Sequence, residues 1–347
     1  MPEPYPQTTE GARGADGWNR VVVRLIHDRA ALRVTRGQRT GGHPCGREVQ
    51  PPPPAADDQG VIPTPRTDTL ARRALVVTEL FVAAKSGDQD DCEDVVRDGP
   101  DLAVVADGAT DTFGTRIGGL TAGRAVAELV ADVVTDAPTG IPALELVDRI
   151  NAEYGSRLGA TVRDLPPGAL PTAVFCAVDK LGRRVIRVGD TSWRTPGRTH
   201  LGGKRIDRIN AQARAALLHS LLAEGTPHEE LLEHDPGRQM ILPVLRRQAA
   251  VRNRPRGSAL THAGIDGRPV PRHLVEEWTL ADDEPVVLAS DGYPRLFMEL
   301  ARCEAYLAAD LARDPLRIGR HATTKAARPG HVSFDDRAFL RLDPAGG

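Results

Sequence analysis

The sequence predicts an α+β fold built on antiparallel sheets. Two strand-like runs, TAVFCAVD (172–179) and RRVIRVGD (183–190), are joined by Lys180-Leu181-Gly182, a connection short enough only for a hairpin. The helical segments are grouped rather than alternating one for one with strands, which argues against a doubly wound parallel sheet. Strand-like runs also stand at both ends of the region beyond residue 71.

Taken in order, residues 1–71 hold a PPPP run at 51–54, many Gly, Arg and Asp residues, and one apolar patch, VVVRLI at 21–26. So little apolar surface cannot offset the entropy of ordering, and a largely disordered extension is expected. From Ala71 the pattern changes, and a folded domain is expected over 72–347. ALVVTELFVAA (74–84) reads as a strand and KSGDQDDCED (85–94) as an acidic turn. VVRDG and LAVVADG (102–108) form a second strand pair. Helices are expected over 118–135 and 141–158, the latter with Pro142 near its first turn. Further helices are expected over 207–224 and 228–250, the second interrupted by Pro236, Gly237 and Pro243. HLVEEWTL (273–280) and EPVVLASDG (284–292) are strands. Residues 294–314 form a long amphipathic helix, and DDRAFLRLD (335–343) a last strand.

Composition narrows the function. Of 347 residues, 40% are hydrophobic and only 4% aromatic, so Val, Leu, Ala and Ile must build the core. A formal net charge of −2 gives no general drive towards nucleic acid or an anionic membrane. No run approaches the ~20 apolar residues of a membrane span, and the N-terminus lacks the regions of a signal peptide. A cytoplasmic monomer is expected. Cys45, Cys92, Cys176 and Cys303 are too scattered for a disulfide framework or a zinc site, and read as free thiols.

The chemistry concentrates in short acidic turns at strand ends: Glu93-Asp94, Asp107-Gly108, Asp291-Gly292 and Asp335-Asp336, with Asp190 after Gly189 as a fifth. Singly, an Asp-Gly after a strand is an ordinary turn. Together they form an all-oxygen donor set that selects Mg²⁺ or Mn²⁺ over zinc or copper.

The order CEDVV, VVADGATD, GGLTAGRAVAELV, PTAVFCAV, RVGDTSW, VVLASDG, FDDRAFL resembles the metal-dependent protein phosphatases of type 2C over residues 72–343. The resemblance implies a four-layer α-β-β-α fold, two central antiparallel β-sheets sandwiched between antiparallel helices. It implies two Mg²⁺ or Mn²⁺ ions, with a third at a weaker site. Asp107 would bridge the two ions, the Gly108 carbonyl would bind the second, and Asp291 and Asp335 would complete the first. Glu93 would act on the second ion, supported by Asp94, and Asp190 would help hold the third. The implied reaction is attack by a water bridged between two metals on a phosphoserine or phosphothreonine protein.

The chain departs from that pattern in places. Cys92 stands where the family has Asn before its Glu-Asp pair, and Gln89 where many members have a phosphate-gripping Arg. Lys85 and Arg116 are the candidate replacements. Ala109 and Thr110 follow Asp-Gly where eukaryotic members carry a proton-donating His. Residues 194–272 do not follow the family pattern and read as a divergent helical insertion. These departures motivate an alternative, a catalytically weak pseudophosphatase that acts as a phosphoprotein-binding signalling module. A hydrolase of small phosphoester metabolites is a third reading.

The histidines of HEELLEH (228–234) are six apart and face different ways on a helix. GGKR (202–205) lacks the spacing and Ser/Thr of a phosphate-binding loop. Ser290 has no nucleophile-elbow context. The arginines at 246–256 read as a solvated face, and Trp18, Trp193 and Trp278 as scattered.

Overall fold

The computed structural model describes residues 73–110, 114–255 and 258–346. The extension 1–71, with its proline run and Cys45, lies outside the described residues.

Among the described residues, twelve strands and six helices follow one another. The strands are β1 Leu75–Ala83, β2 Asp94–Asp98, β3 Leu102–Gly108, β4 Arg116–Ile117, β5 Leu120–Thr121, β6 Ala173–Asp179, β7 Arg184–Val188, β8 Ser192–Arg194, β9 Thr199–His200, β10 Val275–Thr279, β11 Val286–Ala289 and β12 Arg337–Pro344. The helices are α1 Ala122–Thr135, α2 Ala143–Val162, α3 Arg205–Ala223, α4 His228–Glu233, α5 Pro236–Leu245 and α6 Leu300–Arg313. Two five-stranded sheets form, in the orders β1-β12-β11-β8-β9 and β10-β7-β6-β3-β2. Every pairing within them is antiparallel.

Side-chain parity on β3 shows how the layers stack. Leu102, Val104 and Ala106 pack with Val126 and Val130 of α1 and Leu146 and Ile150 of α2. Ala103 and Val105 turn the other way, into a core shared with Val286 and Leu288 of β11 and Leu340 of β12. Successive strand residues face opposite sides, so one strand serves both interfaces. The far face of the first sheet, with Phe81, Val287 and Phe339, packs on Cys303 and Leu307 of α6. The result is helix, sheet, sheet, helix, the four-layer arrangement expected.

Several element boundaries differ from expectation. α1 begins at Ala122 rather than 118, because Gly118 and Gly119 take positive φ angles of 59° and 87° and turn the small β4–β5 hairpin. Thr121 then caps the helix, its hydroxyl accepting from the Arg124 amide. α6 begins at Leu300 rather than near Pro294: Tyr293 and Leu296 turn into the core first, and the Phe297 amide donates to Cys303 Sγ at 3.2 Å. The expected 228–250 helix is two, divided at Asp235-Pro236, where Asp235 caps α5. Pro243 lies inside α5 without ending it. Trp193 and Trp278 are not scattered: their rings lie 5.1 Å apart, tilted at 53°, and His200 stacks on Trp193. Cys92, Cys176 and Cys303 are buried free thiols. No helix among the described residues is long and apolar enough to cross a membrane.

Residues 194–272 carry β9 and α3–α5. Ala215 and Leu218 of α3 and Leu231 of α4 share a small core with Leu316 and Ile318. Arg214 is fully buried there; it pairs with Asp235 at 2.8 Å and donates to the carbonyls of Leu316, Arg317 and Thr323. This clamp fixes the segment that leads to Lys325.

Candidate functional site

The expected acidic residues collect at one end of the sheet sandwich. Asp107 shares the parity of Ala103 and Val105, so it continues the inter-sheet face where that face runs out of apolar residues. Asp94 is its direct cross-strand partner on β2. Like charges placed opposite one another in an antiparallel pair oppose sheet formation. Asp291 follows β11, and Asp335 and Asp336 precede β12, its antiparallel neighbour. Two adjoining cavities, of about 240 and 190 Å³, share Asp190, Asp291 and Asp335 in their linings; Asp107 and Gly108 line the smaller.

Glycines allow this close approach. A Cβ on Gly108 would stand 2.5 Å from the Gly123 backbone and 2.7 Å from the Glu93 carbonyl. One on Gly292 would stand 2.0 Å from the Asp336 carbonyl.

The charges are strained against one another. Burial, then the neighbouring Asp336, Asp335 and Asp291, pushes the Asp94 carboxyl well above its ordinary range. Burial, with Asp94, Asp190 and Asp335, does the same to Asp107. Enclosure by the cleft, with Asp107, Asp335 and Asp190, raises Asp291, although its side chain still reaches the cleft's water. Asp94 Oδ2 is buried and accepts no hydrogen bond from the protein.

Three lysines stand among these acids. Lys85 Nζ lies 2.9 Å from Asp336, 3.4 Å from Glu93 and 3.9 Å from Asp335. Burial acts to lower this ammonium, but Asp335, Asp336 and Glu93 overcome it and hold it above its usual value. Lys325 Nζ lies 2.8 Å from Asp335, and Lys204 Nζ 3.0 Å from Asp190. Burial works to raise Asp335, and the two ammonium groups of Lys325 and Lys85 bring it below its ordinary range instead. Seven carboxylates (Glu93, Asp94, Asp107, Asp190, Asp291, Asp335, Asp336) thus stand near three ammonium groups, with Asp207 beside Lys204 and with Arg238 and Arg252 on the cavity wall.

Asp336 has a structural part that the sequence pattern did not reveal. Its carboxylate accepts from the Lys85 amide at 2.8 Å and the Glu93 amide at 3.0 Å, tying the end of β1 and the start of β2 to β12. Among the described residues, no three acidic, His or Cys side chains stand close enough to grip one ion as they are placed. The donor set nevertheless fits a hard divalent ion. It is all oxygen, its carboxylates are crowded against one another, and Asp94 Oδ2 is without a partner.

Lys85 and Arg116, the expected phosphate-binding pair, line one further cavity of about 310 Å³ with Glu93, Thr110, Arg328 and His331. Arg116 is exposed and donates to the Gly119 carbonyl. Gln89 turns back towards β1, its amide 3.5 Å from the Val82 carbonyl.

Sequence reasoning missed Lys204 and Lys325. Arg238, Gln248, Arg252 and His262 all line the smaller cavity. The GGK of 202–204 was the available signal for Lys204.

No protein-family profile matches this chain, and no curated protein matches it. Solved structures similar to it include the serine/threonine phosphatase PstP/Ppp of Mycobacterium tuberculosis, with 18% identity and a TM-score of 0.41 over 78% of this chain and 99% of that one. The PPM Ser-Thr phosphatase MsPP of Mycobacterium smegmatis is similar at 14% identity and TM-score 0.41, over 79% and 100%. Stp1, a serine/threonine phosphatase of Staphylococcus aureus, is similar at 14% and 0.41, over 77% and 94%. Two antiparallel sheets between helices describe this chain from its own topology.

Proposed function

We propose that this chain is a Mg²⁺- or Mn²⁺-dependent phosphoric monoester hydrolase acting on phosphoserine or phosphothreonine in proteins. The observation that supports it most is that Asp107, Asp291 and Asp335, from three separate strand ends, line one cleft, where burial and neighbouring carboxylates raise both Asp107 and Asp291. A hydrolase site needs its charge balanced from outside, and a phosphoester substrate cannot supply positive charge. The sequence resemblance to type 2C phosphatases points the same way, and the PstP catalytic domain, similar in structure at 18% identity, was solved with two manganese ions.

Asp107, the Gly108 carbonyl, Asp291 and Asp335 would hold the ions, with Glu93 and Asp94 behind them. When bound, the ions supply Lewis-acid stabilisation and a lowered pKa for the attacking water. The chain's own groups do the rest. Asp336 fixes the Lys85 and Glu93 backbones, so both side chains start from rigid positions. Lys85 lies between the acid cluster and the cavity that also contains Arg116, and there its ammonium can meet a phosphoryl oxygen as a point charge. Arg116 approaches the same space from the β4–β5 hairpin. The insertion walls the cleft with Arg238 and Arg252, limiting water and setting which protein segment fits.

The test is hydrolysis of a phosphopeptide and of p-nitrophenyl phosphate by the purified full chain. Activity should require Mn²⁺ or Mg²⁺ and vanish in Asp107→Asn. Activity that persists in chelator, or that survives Asp107→Asn unchanged, contradicts the proposal.

One observation favours the second reading, a binding module with weak or no turnover: Lys85 and Lys325 already pair with Glu93 and Asp335. Tight phosphopeptide binding with no metal-stimulated turnover would select it. Turnover of metabolite phosphoesters but not phosphopeptides would select a small-molecule hydrolase.

A further inference from the structure

The loop that delivers Lys204 is shaped around Asp190. Gly189, with a φ of 97°, turns the chain after β7, and Asp190 is buried. After β9 the chain returns across this turn. A Cβ on Gly202 would stand only 1.5 Å from the Asp190 carbonyl oxygen, so no other residue passes there without displacing the loop. The Gly202 amide donates to Ser192 Oγ at 2.9 Å, pinning the crossing. Two residues later Lys204 begins α3, and its Nζ reaches Asp190 Oδ2 at 3.0 Å and Asp207 Oδ2 at 3.6 Å. Asp291 acts on the same ammonium electrostatically, from the turn after β11. One cation therefore pairs with two carboxylates, from the turn after β7 and from α3.

We infer that Lys204 is a tethered cation, which neutralises the Asp190 side of the cleft and denies it to a further divalent ion. The geometry favours this over an ordinary surface pair. Asp190 is 4% exposed, and both adjoining cavities are lined by Asp190, Lys204, Asp207 and Asp291. A paired ammonium carries one positive charge where a divalent ion would carry two. It cannot diffuse away, and it has no vacant coordination position. Asp190, expected from sequence to help hold a weakly bound ion, is on this account a lysine partner. The remaining acids, Asp107, Asp291 and Asp335, are left to the ions that the proposed hydrolysis uses. The inference rests on that metal-dependent reading.

The experiment counts Mn²⁺ bound per full-length chain, by equilibrium dialysis with elemental analysis and by calorimetric titration. It compares wild type, Lys204→Gln, and Lys204→Gln combined with Asp190→Asn. Lys204→Arg, which keeps the charge, guards against a mere folding defect, with thermal melts for all four proteins. Lys204→Gln should bind one more Mn²⁺ than wild type, the gain should disappear in the double variant, and Lys204→Arg should match wild type. If wild type binds Mn²⁺ and Lys204→Gln binds the same number, the inference is overturned and the hydrolase proposal stands. If none of the proteins binds Mn²⁺, both are overturned. If wild type binds none and Lys204→Gln binds one, the tethered-cation inference holds and the metal-dependent proposal fails. A misfolded Lys204→Gln beside a folded Lys204→Arg is met by Lys204→Met, whose unchanged Mn²⁺ count would likewise overturn the inference.

Discussion

The two ends of the second sheet treat an aspartate in opposite ways. At one end Asp179 closes β6 opposite Leu102, and its carboxylate is fully served. It accepts from Thr139 Oγ1 at 2.6 Å, the Gly140 and Gly182 amides at 2.7 Å, and Arg184 at 3.0 Å. Burial works to raise this carboxyl, and those donors, Thr139 foremost, bring it below its ordinary range instead. At the other end Asp107 closes β3 opposite Asp94; burial and then Asp94 push Asp107 up, and burial and then Asp336 push Asp94 up. Both ends are acidic turns after apolar strands, and they look alike in sequence. The first has been made into a joint. The second has been left in conflict, which a sequence tolerates where function requires it.

The largest effect expected from breaking this contrast is catalytic. Asp107→Asn should reduce Mn²⁺-dependent phosphoester hydrolysis by about 10³-fold, the scale of losing a charge-stabilising group from a transition state. The same change should raise the melting temperature of the metal-free protein, because it removes one of two opposed like charges, worth about 1 kcal/mol. Loss of activity with a gain of stability marks a functional site in a way that simple damage to the fold does not.

Next comes ligand stabilisation. Mn²⁺ at about 100 times its dissociation constant should stabilise wild type by about 2.7 kcal/mol in thermal unfolding, with a much smaller effect on Asp107→Asn. Asp179→Asn should give the mirror image of Asp107→Asn. It should cost about 2 kcal/mol in the denaturant midpoint, since buried donors lose a charged partner, while activity per folded molecule is kept.

How much of this was legible depended on the range of the interactions. The strand ends and their carboxylates could be read because β-periodicity and Asp-Gly turns are local signals. Their meaning came from their order along the chain. Helix starts were less legible: α1 waits for two positive-φ glycines, and α6 waits while Tyr293 and Leu296 enter the core. The lysines were least legible. Lys85 meets Asp336 across 251 positions, and nothing local to either residue announces it. Lys204 had a local signal, the two glycines before it, but they serve to cross over Asp190 rather than to cradle a phosphate. The insertion was visible as an anomaly, whereas its place as a wall of the cleft is a tertiary fact.

The smallest effect expected is in pH dependence, about 1 kcal/mol, and it separates the two ends by sign. Asp179 has a lowered folded value, so its contribution is full above the ordinary carboxylate pKa of about 3.9 and is lost as pH falls through the folded value. Asp94, Asp107 and Asp291 have raised folded values. At neutral pH their charges cost stability in the metal-free protein, and on acidification the folded chain takes up protons before the unfolded one. These three groups should therefore act to raise the metal-free melting temperature as pH falls from neutral towards the ordinary carboxylate pKa of about 3.9. That rise should be smaller in Asp107→Asn and unchanged in Asp179→Asn.

The most direct test of the central claim, that the acidic end is a divalent-metal site, is anomalous diffraction at the manganese edge from crystals of the full chain grown in Mn²⁺. The account predicts anomalous peaks in contact with the carboxylates of Asp107, Asp291 and Asp335 and with the Gly108 carbonyl, with Lys85 and Lys325 drawn away from Glu93 and Asp335. No peak at Asp107, with both lysines still on their carboxylates, would contradict it.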